Sequence, residues 1–205
     1  MTLDDILTLA PVVPVLIIED EAHAVPLARA LVAGGLKALE VTLRTPVAIE
    51  CIRRIAGEVE GAVVGAGTII NAAGRQAAAD AGAQFAVSPG LIAGEGVDGP
   101  TPLLPGIATA SELIAGLAAG FTRFKLFPAT LVGGVAAAKA FASPFPQARF
   151  CPTGGVSAEN AAEYLAQPNV ICVGGSWVAP PDAVRAGDWG RITELARAAT
   201  ALRAS

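Results

Sequence analysis

The 205-residue chain carries one histidine, His23, and that scarcity closes off several kinds of chemistry. A multi-histidine metal site is impossible, and Ser/His/Asp catalysis would have to run through His23 alone. Cysteine is almost as sparse. Cys51, Cys151 and Cys172 lie far apart, without CxxC or metal-type spacing, each inside an apolar segment. They read as small core hydrophobes of a chain held in a reducing compartment. Charged residues make up only 16% of the chain against 53% hydrophobic ones, which excludes disorder and predicts a large interior. The net charge is −4, with an isoelectric point near 5.0, so no electrostatic footprint for nucleic acid is present. An anionic ligand must therefore be held by local features. The N-terminal stretch MTLDDILTLAP lacks the basic flank of a signal peptide, and the apolar run after it is short and broken by Pro11 and Pro14. The expectation is a cytoplasmic protein with no membrane partner.

What the chain does contain is a recurring alternation. Eight short apolar runs read as strands: 12–18, 38–43, 62–67, 84–89, 102–107, 123–128, 149–154 and 170–175. They start 18 to 26 residues apart, the period of a βα unit. Helix signals fill most gaps. Ala24, Leu27, Ala28, Leu31 and Val32 line one helical face, and Gly34-Gly35 stops it. Thr45-Pro46 offers an N-cap and first-turn proline, Thr109 with Glu112 a capping box, and Ser157 and Asp188 two further caps. Residues 2–9 predict a short extra helix. Residues 91–101 hold three glycines and a proline and predict a loop. No linker or composition break divides the chain, so the expectation is one domain over 1–205, a single closed (β/α)8 barrel. The competing doubly wound sheet would need a phosphate fingerprint after its first strand, and IEDEAHA is not one.

In such a barrel the reactive side chains gather at the C-terminal strand ends, and parity sorts inward from outward. In LEVTLR, Leu39, Val41 and Leu43 would face the helices while Glu40, Thr42 and Arg44 point inward. In RFKLFP the same parity turns Lys125 and Phe127 inward. A lysine is almost never buried unless paired or used. One reading is a salt bridge to Glu40 that merely fills the interior. The other is a reactive amine: burial and the nearby Arg44 both disfavour the ammonium form and leave a nucleophile for carbonyl carbon. The endings PTGGVS and VGGSW share a pattern of apolar strand, two glycines and a small hydroxyl residue, which suits a phosphate held by backbone N–H groups near a helix N-terminus. Amine, carboxylate, arginine and phosphate cradle together fit Schiff-base carbon–carbon chemistry on a phosphorylated keto compound. A phosphate-binding isomerase or synthase, with Lys125 as a purely electrostatic group, and a metabolite-binding protein without catalysis are the alternatives.

The strings PVVPVL, HAVPLARALVAGG, LEVTLRT, VGAGT, GAQFAVSPG, FKLFPA, RFCPTGG and VGGSW, in this order, resemble the 2-keto-3-deoxy-6-phosphogluconate aldolases, class I aldolases of the Entner–Doudoroff pathway. The related 4-hydroxy-2-oxoglutarate activity belongs to the same family. The resemblance covers roughly residues 5–200. It implies cleavage of the phosphorylated six-carbon keto acid to pyruvate and D-glyceraldehyde 3-phosphate, with the galactonate epimer as an alternative substrate. It further implies that Lys125 forms the Schiff base and Glu40 moves protons. Arg44 and Thr68 would hold the substrate carboxylate, Pro89 and Phe127 would pack beside the reacting carbons, and Gly154, Gly155 and Ser176 would bind phosphate. No cofactor or metal is implied, and the assembly implied is a homotrimer. One departure stands out: members of the family usually carry a longer, more helical segment where residues 91–101 are short and glycine-rich.

Overall fold

The computed structural model describes residues 1–203. Nine strands alternate with nine α-helices among the described residues. The strands are β1 (Val12–Leu16), β2 (Ala38–Thr42), β3 (Val63–Gly67), β4 (Phe85–Val87), β5 (Leu103–Leu104), β6 (Gly106–Ile107), β7 (Arg123–Leu126), β8 (Arg149–Pro152) and β9 (Val173–Gly175). The helices are α1 (Leu3–Leu7), α2 (Ala24–Ala33), α3 (Ala48–Glu58), α4 (Ala72–Asp80), α5 (Ala110–Ala118), α6 (Gly134–Ala142), α7 (Ala161–Leu165), α8 (Pro181–Ala186) and α9 (Trp189–Thr200).

The strand pairing corrects the expectation of a single closed eight-stranded barrel. Six parallel strands form one sheet in the order β5-β4-β3-β2-β1-β9, and three more form a second in the order β6-β7-β8. The physical cause lies in the run 102–107. Pro105 has no N–H to give to a ladder, so the run splits into β5, which pairs with β4, and β6, which pairs with β7. On the other side, β8 and β9 lie next to each other without a ladder, and the chain there is linked by isolated bridges, Phe150 to Val170 and Thr153 to Gly174. The fold is α/β with parallel strands, in two sheets rather than one closed ladder.

Parity still decides where each side chain goes. Leu39, Val41, Phe124 and Leu126 join the large apolar layer between strands and helices, together with Cys51. The opposite faces of the two sheets meet in a smaller cluster of Val13, Ala38, Val63, Phe85, Leu104, Cys151 and Cys172, into which α1 inserts Ile6 and Leu7. All three cysteines are buried, and burial pushes the Cys51 thiol up to about 11. Local signals hold in part. Thr109 and Glu112 form the capping box of α5, and Asp188 caps α9 through the Arg191 N–H. Thr45 does not cap α3; its hydroxyl donates to the Ile18 carbonyl at 2.7 Å, and the helix starts at Ala48. Ser157 does not cap α7 with its side chain either, since its hydroxyl is engaged by Glu159.

Residues 91–101 hold no helix or strand, and one side chain keeps them in place. Arg75 of α4 is 1% exposed, the largest fully buried side chain described. Its Nε and Nη2 donate to the Thr101 carbonyl at 3.2 and 2.5 Å, and its Nη1 donates to Glu95 Oε2 at 2.5 Å. A Cβ on Gly99 would stand 2.4 Å from the guanidinium carbon, so a side chain there would force the guanidinium to shift. A guanidinium thus fills the space where apolar helix packing would otherwise be needed. Replacing Arg75 by Leu strands the Glu95 carboxylate and the Thr101 carbonyl. The expected loss is about 3 kcal/mol or more of unfolding free energy in a urea titration; a loss below about 1 kcal/mol would show that the pair is dispensable.

Candidate active site

Two strands on opposite sheets bring the central pair together. Glu40 lies on β2, with Val15 and Gly65 beside it in register, and Lys125 lies on β7 between Gly106 and Cys151. Lys125 Nζ donates to Glu40 Oε1 at 3.1 Å, and the two side chains are 3% and 4% exposed. The expected inward parity of both is what the structure has. Desolvating two charges costs free energy that their attraction returns only with good geometry, and an apolar pair of similar volume often does as well or better. A buried pair of this kind is therefore weakly explained by stability. Gly67 at the end of β3 makes it possible: a Cβ there would stand 2.2 Å from Glu40 Oε1. The Phe127 ring centroid lies 5.2 Å from Lys125 Nζ and shields it on another side.

Arg44 follows β2 by two residues and stands at the mouth. Its Nε donates to Thr68 Oγ1 at 3.0 Å. Thr68 has φ +62°, the one non-glycine residue with positive φ among those described, a conformation that costs about 1–3 kcal/mol and concentrates at functional sites. That strain turns the hydroxyl toward Arg44. A guanidinium steadied this way offers a planar fork matched to a carboxylate.

The glycine pairs form the third part. Gly154 and Gly155 have φ +94° and +76°. Thr130 donates to the Gly154 carbonyl through its backbone N–H at 3.1 Å and its hydroxyl at 3.2 Å, and Asn160 Nδ2 donates to the Gly155 carbonyl at 3.0 Å. Both carbonyls are thereby occupied from behind. Among the described residues, the N–H groups of Gly154, Gly155 and Ser176 find no protein acceptor. Such a run of free N–H groups is an anion-binding concavity. It is built from loops: α7 and α8 start only at Ala161 and Pro181, so the expected helix N-terminus behind the cradle is not there.

Arg44, Lys125, Phe127, Gly154, Gly155 and Ser176 line one cavity of about 140 Å³. Glu40 is reached from it through Lys125, and Thr68 through Arg44. Pro89 does not line it. Its backbone instead packs on Gly106, where an added Cβ would come within 2.3 Å, so it sits one strand away from Lys125. Thr153, Val15 and Ile17 also line the cavity and escaped the sequence reading. Thr153 shares the parity of inward-facing Cys151, which was the available signal; its hydroxyl donates to the Cys151 carbonyl at 3.3 Å. Among the described residues, no three His, Cys, Asp or Glu side chains are grouped to hold a metal ion, and no helix is long and apolar enough to cross a membrane.

These parts define the class: an α/β enzyme whose pocket couples an enclosed primary amine to a carboxylate, beside separate places for two anionic groups. The comparisons with known proteins are narrower. The family model for KDPG and KHG aldolase matches residues 3–195, and the chain belongs to that family. It is 55% identical over 200 residues to the 2-dehydro-3-deoxy-phosphogluconate aldolase of Pseudoalteromonas atlantica, covering 96% of this chain and 93% of that protein. The crystal structure of the 2-keto-3-deoxy-6-phosphogluconate aldolase of Zymomonas mobilis with 3-phosphoglycerate superposes with a TM-score of 0.93 at 52% identity, covering 97% and 95% of the two chains. The KDPG aldolase of Legionella pneumophila, with pyruvate captured as a covalent carbinolamine, gives 0.94 at 44%, covering 96% and 97%.

Because Gly67 leaves the room that Glu40 occupies, Gly67→Ala is expected to push the carboxylate off Lys125. Turnover should fall about tenfold or more, measured as pyruvate release, while the melting temperature moves by only a few degrees. Unchanged turnover would mean that the close contact is not needed.

Proposed function

We propose that this chain is a class I aldolase that cleaves 2-dehydro-3-deoxy-6-phosphogluconate into pyruvate and D-glyceraldehyde 3-phosphate, and that it also accepts 4-hydroxy-2-oxoglutarate. The observation that carries the reading is the buried Lys125 amine with Glu40 Oε1 at 3.1 Å, opening on a cavity shared with Arg44 and the glycine cradle. The names of the relatives and the pyruvate carbinolamine of the Legionella protein point the same way.

The chemistry follows from the positions. Glu40 takes a proton from the Lys125 ammonium, and the freed amine adds to the ketone carbon of the substrate. Proton transfer through Glu40 then lets the carbinolamine lose water and become a protonated imine. Glu40 next removes the proton of the hydroxyl on the fourth carbon. The bond between the third and fourth carbons breaks, its electron pair moves into the imine, and glyceraldehyde 3-phosphate leaves. The enamine that remains is protonated at the third carbon, and water releases pyruvate and restores the amine. Arg44 and Thr68 hold the carboxylate so that the ketone faces Nζ. Phe127 packs beside the reacting carbons, Pro89 backs that wall through Gly106, and the free N–H groups of Gly154, Gly155 and Ser176 take the phosphate, whose binding is remote from the bonds that change. The enzyme works as a single catalytic domain without a cofactor, in the cytoplasm, as a homotrimer. The exposed apolar side chains Ile70 and Leu131, 68% and 83% accessible, suit contact between copies.

Borohydride reduction in the presence of pyruvate, followed by peptide mass mapping, tests the reading. One adduct on Lys125 is expected; an adduct elsewhere or none would contradict it and favour a phosphate-binding isomerase or synthase. Glu40→Gln should still form some adduct while cleaving substrate about 100-fold more slowly or worse; turnover at the wild-type rate would remove Glu40 from the proton transfers.

A further inference from the structure

A second cavity adjoins the active-site cavity. Val15, Ile17 and Ser176 line both, and the outer chamber, about 500 Å³, extends between the turn Glu21–His23 and α8. Three charged side chains line it, Glu19 and Asp20 from the β1 side and Arg185 from the last turn of α8, together with the imidazole of His23. Their arrangement matters because Ser176 stands at the junction. An anion held there by Gly154, Gly155 and Ser176 meets neutral donors in the cradle itself, with Arg44 on another part of the same cavity wall. Of the two cations of the inner cavity, Lys125 is paired with Glu40, while Arg44, bonded to the uncharged Thr68 hydroxyl, keeps its charge for the substrate carboxylate. Across the outer chamber the same anion faces two carboxylates. One oxygen of Asp20 accepts the Ala22 N–H at 2.9 Å, which leaves its charge in place. Without a cation on the chamber wall, like charges would oppose binding of a phosphate.

Arg185 is that cation. Among the described residues it makes no hydrogen bond and no ion pair, although its helix carries an acid: Asp182 is taken by Arg191 at 2.7 Å. We propose that Arg185 reaches the substrate's phosphate from the outer chamber and sets the preference for phosphorylated over unphosphorylated keto acids. This rests on the aldolase reading above and adds to it a specificity-determining residue outside the glycine cradle. An exposed guanidinium acting on a dianion across a solvent-filled chamber should be worth a several-fold change in affinity, screened by salt.

The test compares wild type with Arg185→Gln and Arg185→Lys on the phosphorylated substrate, with half-saturation by pyruvate in borohydride trapping as the control that involves no phosphate. Arg185→Gln should raise KM about three- to tenfold with little change in kcat, the effect should shrink with added salt, Arg185→Lys should restore most of it, and pyruvate half-saturation should not move. An unchanged KM in Arg185→Gln would overturn the proposal and leave the aldolase reading standing. An equal rise in pyruvate half-saturation would overturn it too, since the substitution would then be disturbing the whole site. A wild-type protein that traps no pyruvate would remove the aldolase reading and this proposal with it.

Discussion

A lysine ammonium and a glutamate carboxylate, both taken out of water and held 3.1 Å apart, set the terms for much of the surrounding structure. Each charge needs the other, because a lone buried charge would cost several kcal/mol. The pair must also be reached from two different sheets, so the inner faces of β2 and β7 have to converge. Space for the carboxylate comes from the missing side chain of Gly67, and protection for the amine from the Phe127 ring. Neighbouring features follow the same economy of room. A Cβ on Gly174 would press within 2.2 Å of Thr153 Oγ1, and one on Gly155 within 2.0 Å of Thr130 Oγ1. Gly67 and Gly174 are there because side chains opposite them occupy their space, while Gly154 and Gly155 also hold left-handed backbone that favours glycine.

The division of labour in the pocket has the same origin. Lys125 and Arg44 are both cations, yet only one is enclosed. Lys125 is buried in the cavity wall with an acid in contact, which suits an amine that must exchange protons. Arg44 stands exposed at the mouth, braced by one hydroxyl, which suits a permanent charge that binds and lets go. The cradle of backbone N–H groups adds no charge of its own, so an anion there also depends on the charged groups around it.

Much of this was legible from residue types at alternate positions. Period-2 alternation in LEVTLR and RFKLFP is enough to place Glu40 and Lys125 on inner faces, since the layer toward the helices accepts only apolar side chains. What alternation cannot convey is hydrogen-bond continuity between strands. The run PLLPGI reads as one strand by hydrophobicity, but Pro105 interrupts its ladder and leaves two sheets where one closed barrel was expected. Arg75 was equally hidden: a lone arginine in a helical stretch reads as a solvated charge, and its burial arises only when residues 95–101 fold over it. Thr45 and Ser157 show the limit of capping signals, since a hydroxyl near a helix start can find a nearer partner. Pro89 marks the edge of the site reading, close to Lys125 through Gly106 yet outside the cavity.

The central claim is that the buried amine, and no other group, is the covalent partner of the keto acid. A crystal structure of the protein soaked with pyruvate examines this most directly. The account predicts continuous density from Lys125 Nζ to the second carbon of pyruvate, with the carboxylate against Arg44 and Thr68 and Glu40 moved to serve the new bond. Pyruvate bound with Lys125 still paired to Glu40 and no covalent link, or linked to any other residue, would contradict it.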